Sequence, residues 1–168
     1  MGKLNLTIDL DNLSQEERQH FFKLVKKSKK SFNPFERVEL RDIYYYINEN
    51  DKINADKDCK GDNDNYRFNI HNYFNDKEFA EHQALRELLN RKLIKFSYEN
   101  GGADIDFSTN MNKWEVYYNN DCGLFITALL TNADILTPVF ISEEVAQRAI
   151  NEVIKPFLKE HPNFKWWG

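Results

Sequence analysis

Leu4, Leu6, Ile8 and Leu10 alternate with Asn5, Thr7 and Asp9, so the chain is expected to open with a strand that has one buried face. Ser14 and Glu17 then form an S-x-x-E capping box, and Phe21, Phe22, Leu24 and Val25 supply the apolar side of a helix over 14–28. Lysines close that helix, and Ser31-Phe32-Asn33-Pro34 breaks the pattern, which makes 31–36 a linker. The run from Val38 to Ile47 reads as a strand, the polar stretch from Asn48 to Asn65 as a solvated loop, and Tyr66 to Phe74 as a further strand. Asn75, with Glu78 three residues on, can cap a long helix whose buried side is Phe79, Ala84, Leu85, Leu88, Leu89 and Ile94. Gly101-Gly102 stops it.

A second set of elements follows. Trp114 to Tyr118, Leu124 to Leu130 and Leu136 to Ile141 read as strands, and Ser142 caps a helix carrying Val145, Ala146, Ala149, Ile150, Val153 and Ile154. Pro156 is expected to kink or end that helix ahead of the aromatic tail Phe164-Lys165-Trp166-Trp167. The two sets echo each other: YINEND and YYNND each precede a strand ending in phenylalanine, and Phe74 and Phe140 both lie six residues before an alanine, Ala80 and Ala146. The expected fold is α+β. An N-terminal strand and helix (1–30) and a linker (31–36) lead into a strand-strand-helix half (37–100) and a strand-strand-strand-helix half with the tail (101–168), both with antiparallel sheets.

Composition narrows the functional classes. At 168 residues with 41% hydrophobic and 14% aromatic positions, the chain can bury about 70% of its unfolded surface. A net charge of −4 disfavours direct nucleic-acid binding, which calls for a basic face. Cys59 and Cys122 stand alone, without CxxC or CxxH spacing, so neither a disulfide framework nor a zinc site is expected. The alternating start is unlike a signal peptide, and no run of about 18 apolar residues occurs, which points to the cytoplasm.

No catalytic, cofactor or metal signature emerges. Asp56, Asp58, Lys60, Gly61 and Arg67 fall where a calcium loop has its first, third, fifth, sixth and twelfth positions, but lysine and arginine stand where oxygen ligands are needed. The spacings of Glu17 with His20 and of Glu78 with His82 suit one face of a helix, but a dimetal site needs several such pairs on facing helices. There is no G-x-S-x-G elbow, and Gly101-Gly102 lacks the lysine of a phosphate loop.

Binding residues are therefore sought among exposed acids and aromatics. Tyr44 and Tyr46 on one strand and Trp114 and Tyr118 on another place aromatic rings on sheet faces, where those not used in the core can anchor a protein interface. Asp56, Asp58, Asp62 and Asp64 make the intervening loop acidic, and Trp166 and Trp167 are unusual for a terminus. An alternative set is the cluster Lys23, Lys26, Lys27, Lys29 and Lys30, suited to phosphates and so to a nucleotide- or nucleic-acid-binding module. A third reading is self-association through the N-terminal arm.

The segments LNLTIDLDNLSQEERQHFFKLVKKSKK, YYYIN, KWEVYYNN and VFISEEVAQRAI together resemble small accessory proteins of phages and prophages of low-GC Gram-positive bacteria. The resemblance spans most of the chain and departs from the pattern between Ile53 and Asn65 and after Phe157. It implies a phage origin and a non-enzymatic accessory role, with inhibition of a host defence protein such as a CRISPR effector as one use. Its motifs are structural, so it transfers no functional residue.

Overall fold

The structure, a computed structural model, describes residues 14–18, 21, 33–108, 111–130 and 138–165. The chain divides into two compact units, Met1–Pro34 and Phe35–Gly168. In the first, the capping box forms as expected: the Ser14 amide and hydroxyl both donate to Glu17 Oε2, at 2.8 and 2.7 Å, and the Glu17 amide donates to Ser14 Oγ at 3.3 Å. The anticipated strand at Leu4–Leu10 and the lysine cluster lie outside the described residues.

The second unit is an α+β fold with antiparallel sheets. Strand β1 (Ile43–Ile47) pairs with β2 (Ile53–Lys57) around a tight turn, in which the Asn48 carboxamide oxygen accepts from the amides of Asn50 and Lys52. Helix α1 (Asp62–Asn69) follows, and the chain returns at Phe74, which exchanges both backbone hydrogen bonds with Tyr45 at 2.7 and 2.8 Å. The Asn72 side chain extends this ladder, its carboxamide accepting from the Ile47 amide and donating to the Ile47 carbonyl. Helix α2 (Lys77–Glu99) then buries Ala80, Ala84, Leu89 and Leu93.

Strands β3 (Lys113–Asn119) and β4 (Leu124–Leu130) form a second hairpin, and β5 (Val139–Phe140) pairs with β3 through Trp114↔Phe140. In each half, then, the returning chain lies antiparallel on the other side of the first hairpin strand, through a single bridge at Phe74 in the first half and through β5 in the second. The returning phenylalanine stands two residues before a helix cap in both. Asp76 accepts from the Phe79 amide at 2.7 Å and Ser142 from the Val145 amide at 3.2 Å. Ala80 and Ala146, six residues past those phenylalanines, are wholly buried, as close helix-to-sheet packing requires. Helix α3 (Glu143–Ala149), a π-helical segment (Ile150–Ile154) and α4 (Lys155–Glu160) form one continuous run. The core joins Leu89 and Leu93 of α2 to Phe140, Ala146, Ala149, Ile150, Ile154, Phe157 and Phe164.

Several expectations are corrected. The strand expected from Val38 begins only at Ile43, because Arg41 and Asp42 are committed to backbone bonds with Asp58. The stretch Asn48–Asn65 is not one loop but holds β2 and the start of α1. Tyr66–Phe74 is not a strand: its first four residues are helical, and pairing is confined to the single bridge at Phe74. Asp76, not Asn75, caps α2, while Asn75 donates to the Glu36 carbonyl. Of the strand expected at Leu136–Ile141, Val139–Phe140 is observed; 131–137 lie outside the described residues. Pro156 does not end the last helix. The π-helical turns just before it shift the hydrogen-bond register, and Pro156, which has no amide hydrogen, sits in the first turn of α4. No helix among the described residues is long and apolar enough to cross a membrane.

Candidate functional site

Two aspartates and two tyrosines share the interior of the first half with Phe74, Ala80 and Ala84. Asp58 has no exposed surface and accepts four hydrogen bonds: from Arg37 Nε at 2.6 Å and Nη2 at 2.9 Å, from the Tyr73 hydroxyl at 2.9 Å and from the Lys60 amide at 2.7 Å. A buried carboxylate is tolerable only when its lone pairs are filled in this way. The bidentate Arg37 holds the Asp58 carboxyl far below the usual carboxylate range, overcoming the upward push of burial. Arg37 Nη1 continues to Asn65 Oδ1 at 2.9 Å, and its guanidinium lies over the Phe68 ring.

Asp64 occupies the matching place in the first turn of α1. It accepts from the Tyr44 hydroxyl at 2.8 Å and from the amides of Cys59 and Gly61 at 3.0 Å each. Burial pushes its carboxyl up, but those three donors outweigh it and its pKa is lowered. Tyr44 and Tyr73 stack at 4.1 Å between centroids, each donating to one aspartate. Tyr44 also accepts from Arg67 Nη1 at 2.6 Å, and Tyr73 from the Val38 amide at 3.3 Å. Burial, reinforced by donation to Asp64, pushes the Tyr44 hydroxyl up to about 12; burial and Asp58 raise Tyr73 likewise. Both phenols stay protonated and both carboxylates ionised at neutral pH, so the network is saturated.

The surface above it is a different matter. Arg67 lies 3.6 Å from the Tyr46 ring centroid and bonds Asp56 at 3.0 Å, making a Tyr46–Arg67–Asp56 rim. One helical turn apart, Asp62, Tyr66 and Ile70 share a face of α1 and its C-cap, with Tyr66 65% and Ile70 49% exposed. An acid, a tyrosine and an isoleucine in one exposed row suit the anchor of a protein contact, held on a frame whose side chains are already locked.

The expected site residues therefore divide. Asp56, Asp62 and Tyr46 belong to this surface. Tyr44, Asp58 and Asp64 are buried and fully bonded, because Arg67 reaches Tyr44, Arg37 and Tyr73 reach Asp58, and Tyr44 with the Cys59 and Gly61 amides reaches Asp64, and they present nothing to a partner. Trp114 and Tyr118 are half-buried on the helix-packed side of β3; its neighbour Tyr117 is the one turned outward. Trp166, Trp167 and the lysine cluster lie outside the described residues. Neither cysteine is in a disulfide, and no group of three or more potential metal ligands occurs among the described residues. The residues missed by periodicity are Arg37, Tyr66, Ile70 and Tyr73. One signal was available for the helix that carries Tyr66 and ends at Ile70: Gly61 followed by Asp64 marks a helix start at 62. Comparison with protein-family models, with curated proteins and with solved structures returned no match.

Proposed function

We propose that this chain is a phage-encoded accessory protein that works by binding a host defence protein, such as a CRISPR effector, and blocking it. The observation that carries the reading is the exposed row Asp62–Tyr66–Ile70 beside the Tyr46–Arg67–Asp56 rim, standing on a hydrogen-bonded frame. Exposed aromatic and aliphatic anchors flanked by acids fit a partner with a basic, partly apolar surface, which is what a nucleic-acid-handling effector offers. The net charge of −4 agrees in sign.

The test is infection of a CRISPR-immune host expressing the chain, read as plaque formation, with partner capture from nuclease-treated lysate alongside. Restored plaquing and a nuclease-resistant protein partner are expected. Both effects should vanish in a Tyr66→Ala, Asp62→Lys double variant whose urea midpoint is unchanged. Unchanged immunity together with no captured protein removes the proposal.

A further inference from the structure

The last turn of α2 is held by the Asn100 side chain. The Asn100 amide donates to the Ser97 carbonyl at 3.0 Å, so the Phe96 carbonyl lacks its usual helical donor. The Asn100 carboxamide nitrogen replaces that donor at 2.8 Å. The carboxamide oxygen accepts from Arg148 Nη1 of α3 at 3.0 Å, and Glu152 orients the same guanidinium by accepting from Nε at 2.8 Å and Nη2 at 3.2 Å. Close by, the Ser97 hydroxyl donates to the Val139 carbonyl of β5. The end of the long helix is thereby tied to the strand and the helix that follow it.

Gly101 comes next in the left-handed region, at φ 91°, where glycine is at no steric cost. Asn100-Gly101 is the only Asn-Gly pair in the chain. In such a pair no Cβ hinders the glycine nitrogen from attacking the asparagine Cγ and closing a five-membered imide. The N–Cγ bond forms, the Cγ–Nδ2 bond breaks, and Nδ2 leaves as ammonia, taking the proton of the glycine amide. Water then opens the imide at one of its two carbonyl carbons. The product is aspartate or, with the chain rerouted through Cγ, isoaspartate.

The folded geometry blocks the first step. At ψ 35° the Gly101 nitrogen lies on the side of the Asn100 Cα–C bond away from Cβ, and the Asn100 carbonyl oxygen is the atom turned toward Cβ. Attack requires that bond to swing the nitrogen across and the carboxamide to leave both Phe96 and Arg148.

We propose that Asn100 is a self-modification site guarded by Arg148, kept as asparagine while the end of α2 is docked and converted to isoaspartate and aspartate when that end opens. Opening of a helix end is a local event, costing less than global unfolding. The conversion runs one way. Either product carries a carboxylate, which has no hydrogen to give the Phe96 carbonyl, and isoaspartate also lengthens the backbone at the cap. An end that has opened and reacted does not regain its original bonds. The site is separate from the α1 surface and does not depend on the function proposed for it.

The test is incubation of the full chain at neutral pH, with isoaspartate and aspartate at position 100 followed by peptide mass spectrometry. Folded wild type should convert at least about tenfold more slowly than the same chain unfolded in urea, the factor that an opening cost of about 1.4 kcal/mol produces. Arg148→Ala should speed conversion in the folded chain about fivefold, as loss of one hydrogen bond implies. Ile154→Val, which weakens the buried core without touching the cap, should leave the rate at the wild-type value. Equal rates for folded and unfolded wild type overturn the inference without reference to any variant, and so does an absence of conversion in urea. An Arg148→Ala chain with native circular dichroism that converts no faster than wild type overturns it too, as does an Ile154→Val chain that converts as fast as Arg148→Ala.

Discussion

On the α1 side of β1, Tyr44 stacks on Tyr73 and the two hydroxyls end on Asp64 and Asp58; on the helix side of β3, Trp114 and Val116 meet a cluster of aliphatic and phenylalanine side chains. The strand order around β1 and around β3 is the same, and so is the step from phenylalanine to cap to buried alanine. What differs is the material that fixes it. The second half relies on apolar burial, which is non-directional and tolerates small shifts in packing. In the first half, hydrogen bonds of fixed length and direction run between residues distant in sequence, Arg37 to Asp58 and Tyr44 to Asp64. Such a network contributes modest net stability, because the desolvation of its charges offsets much of their attraction, but it fails badly when one member is removed.

That asymmetry sets the largest expected effect. Asp58→Ala strands the Arg37 guanidinium and the Tyr73 hydroxyl together and should cost about 3–5 kcal/mol in urea unfolding. Ile154→Val, at an equally buried position of the apolar core, should cost about 0.5–1.5 kcal/mol. Equal losses at the two positions would break the contrast.

Next comes pH. Asp58 and Asp64 have depressed pKa values in the fold, so the stability they contribute is present above the unfolded carboxylate pKa of about 3.9 and is lost as pH falls through their folded values. Tyr44 and Tyr73 have raised values, so their contribution is present below about 10 and is lost as pH rises toward and beyond about 12. Unfolding free energy against pH should therefore show a plateau with an acid limb and an alkaline limb. Asp58→Asn should shallow the first, and Tyr44→Phe the second. A wild-type profile without the alkaline limb would mean that the phenols are not held in the network.

The same contrast explains what the sequence discloses. Trp114–Tyr118, Leu124–Leu130 and the Ser142 cap are legible because alternation and capping are local signals, and the apolar half is built from them. Tyr66, Phe68 and Ile70 also alternate with polar residues, yet they are helical or cap a helix. The Gly61–Asp64 start and the long-range bonds of Asp64 and Arg67 override the strand-like pattern. Reading those aspartates as surface followed from their composition. Only the arginine and tyrosines brought to them from 15 to 21 positions away turn them inward, and such pairings leave no periodic trace. The exposed α1 row was hidden by the same misreading, since Tyr66 and Ile70 share a face with Asp62 only when the segment is a helix.

The smallest expected effect asks whether the halves are alike where they ought to be. Asp76 and Ser142 hold corresponding places, each two residues past the paired phenylalanine and each accepting from the amide three residues on. Removing either cap by alanine substitution should cost about 1 kcal/mol. Asp76→Ala should cost the more, because the carboxylate also favours the positive end of the α2 dipole by about 0.3–1 kcal/mol. The substitutions touch different helices, so the double variant should lose the sum of the two to within about 0.5 kcal/mol. If one cap costs nothing while the other costs its full share, the two helices are set in place differently. The common strand order would then be a likeness of topology without a likeness of energetics.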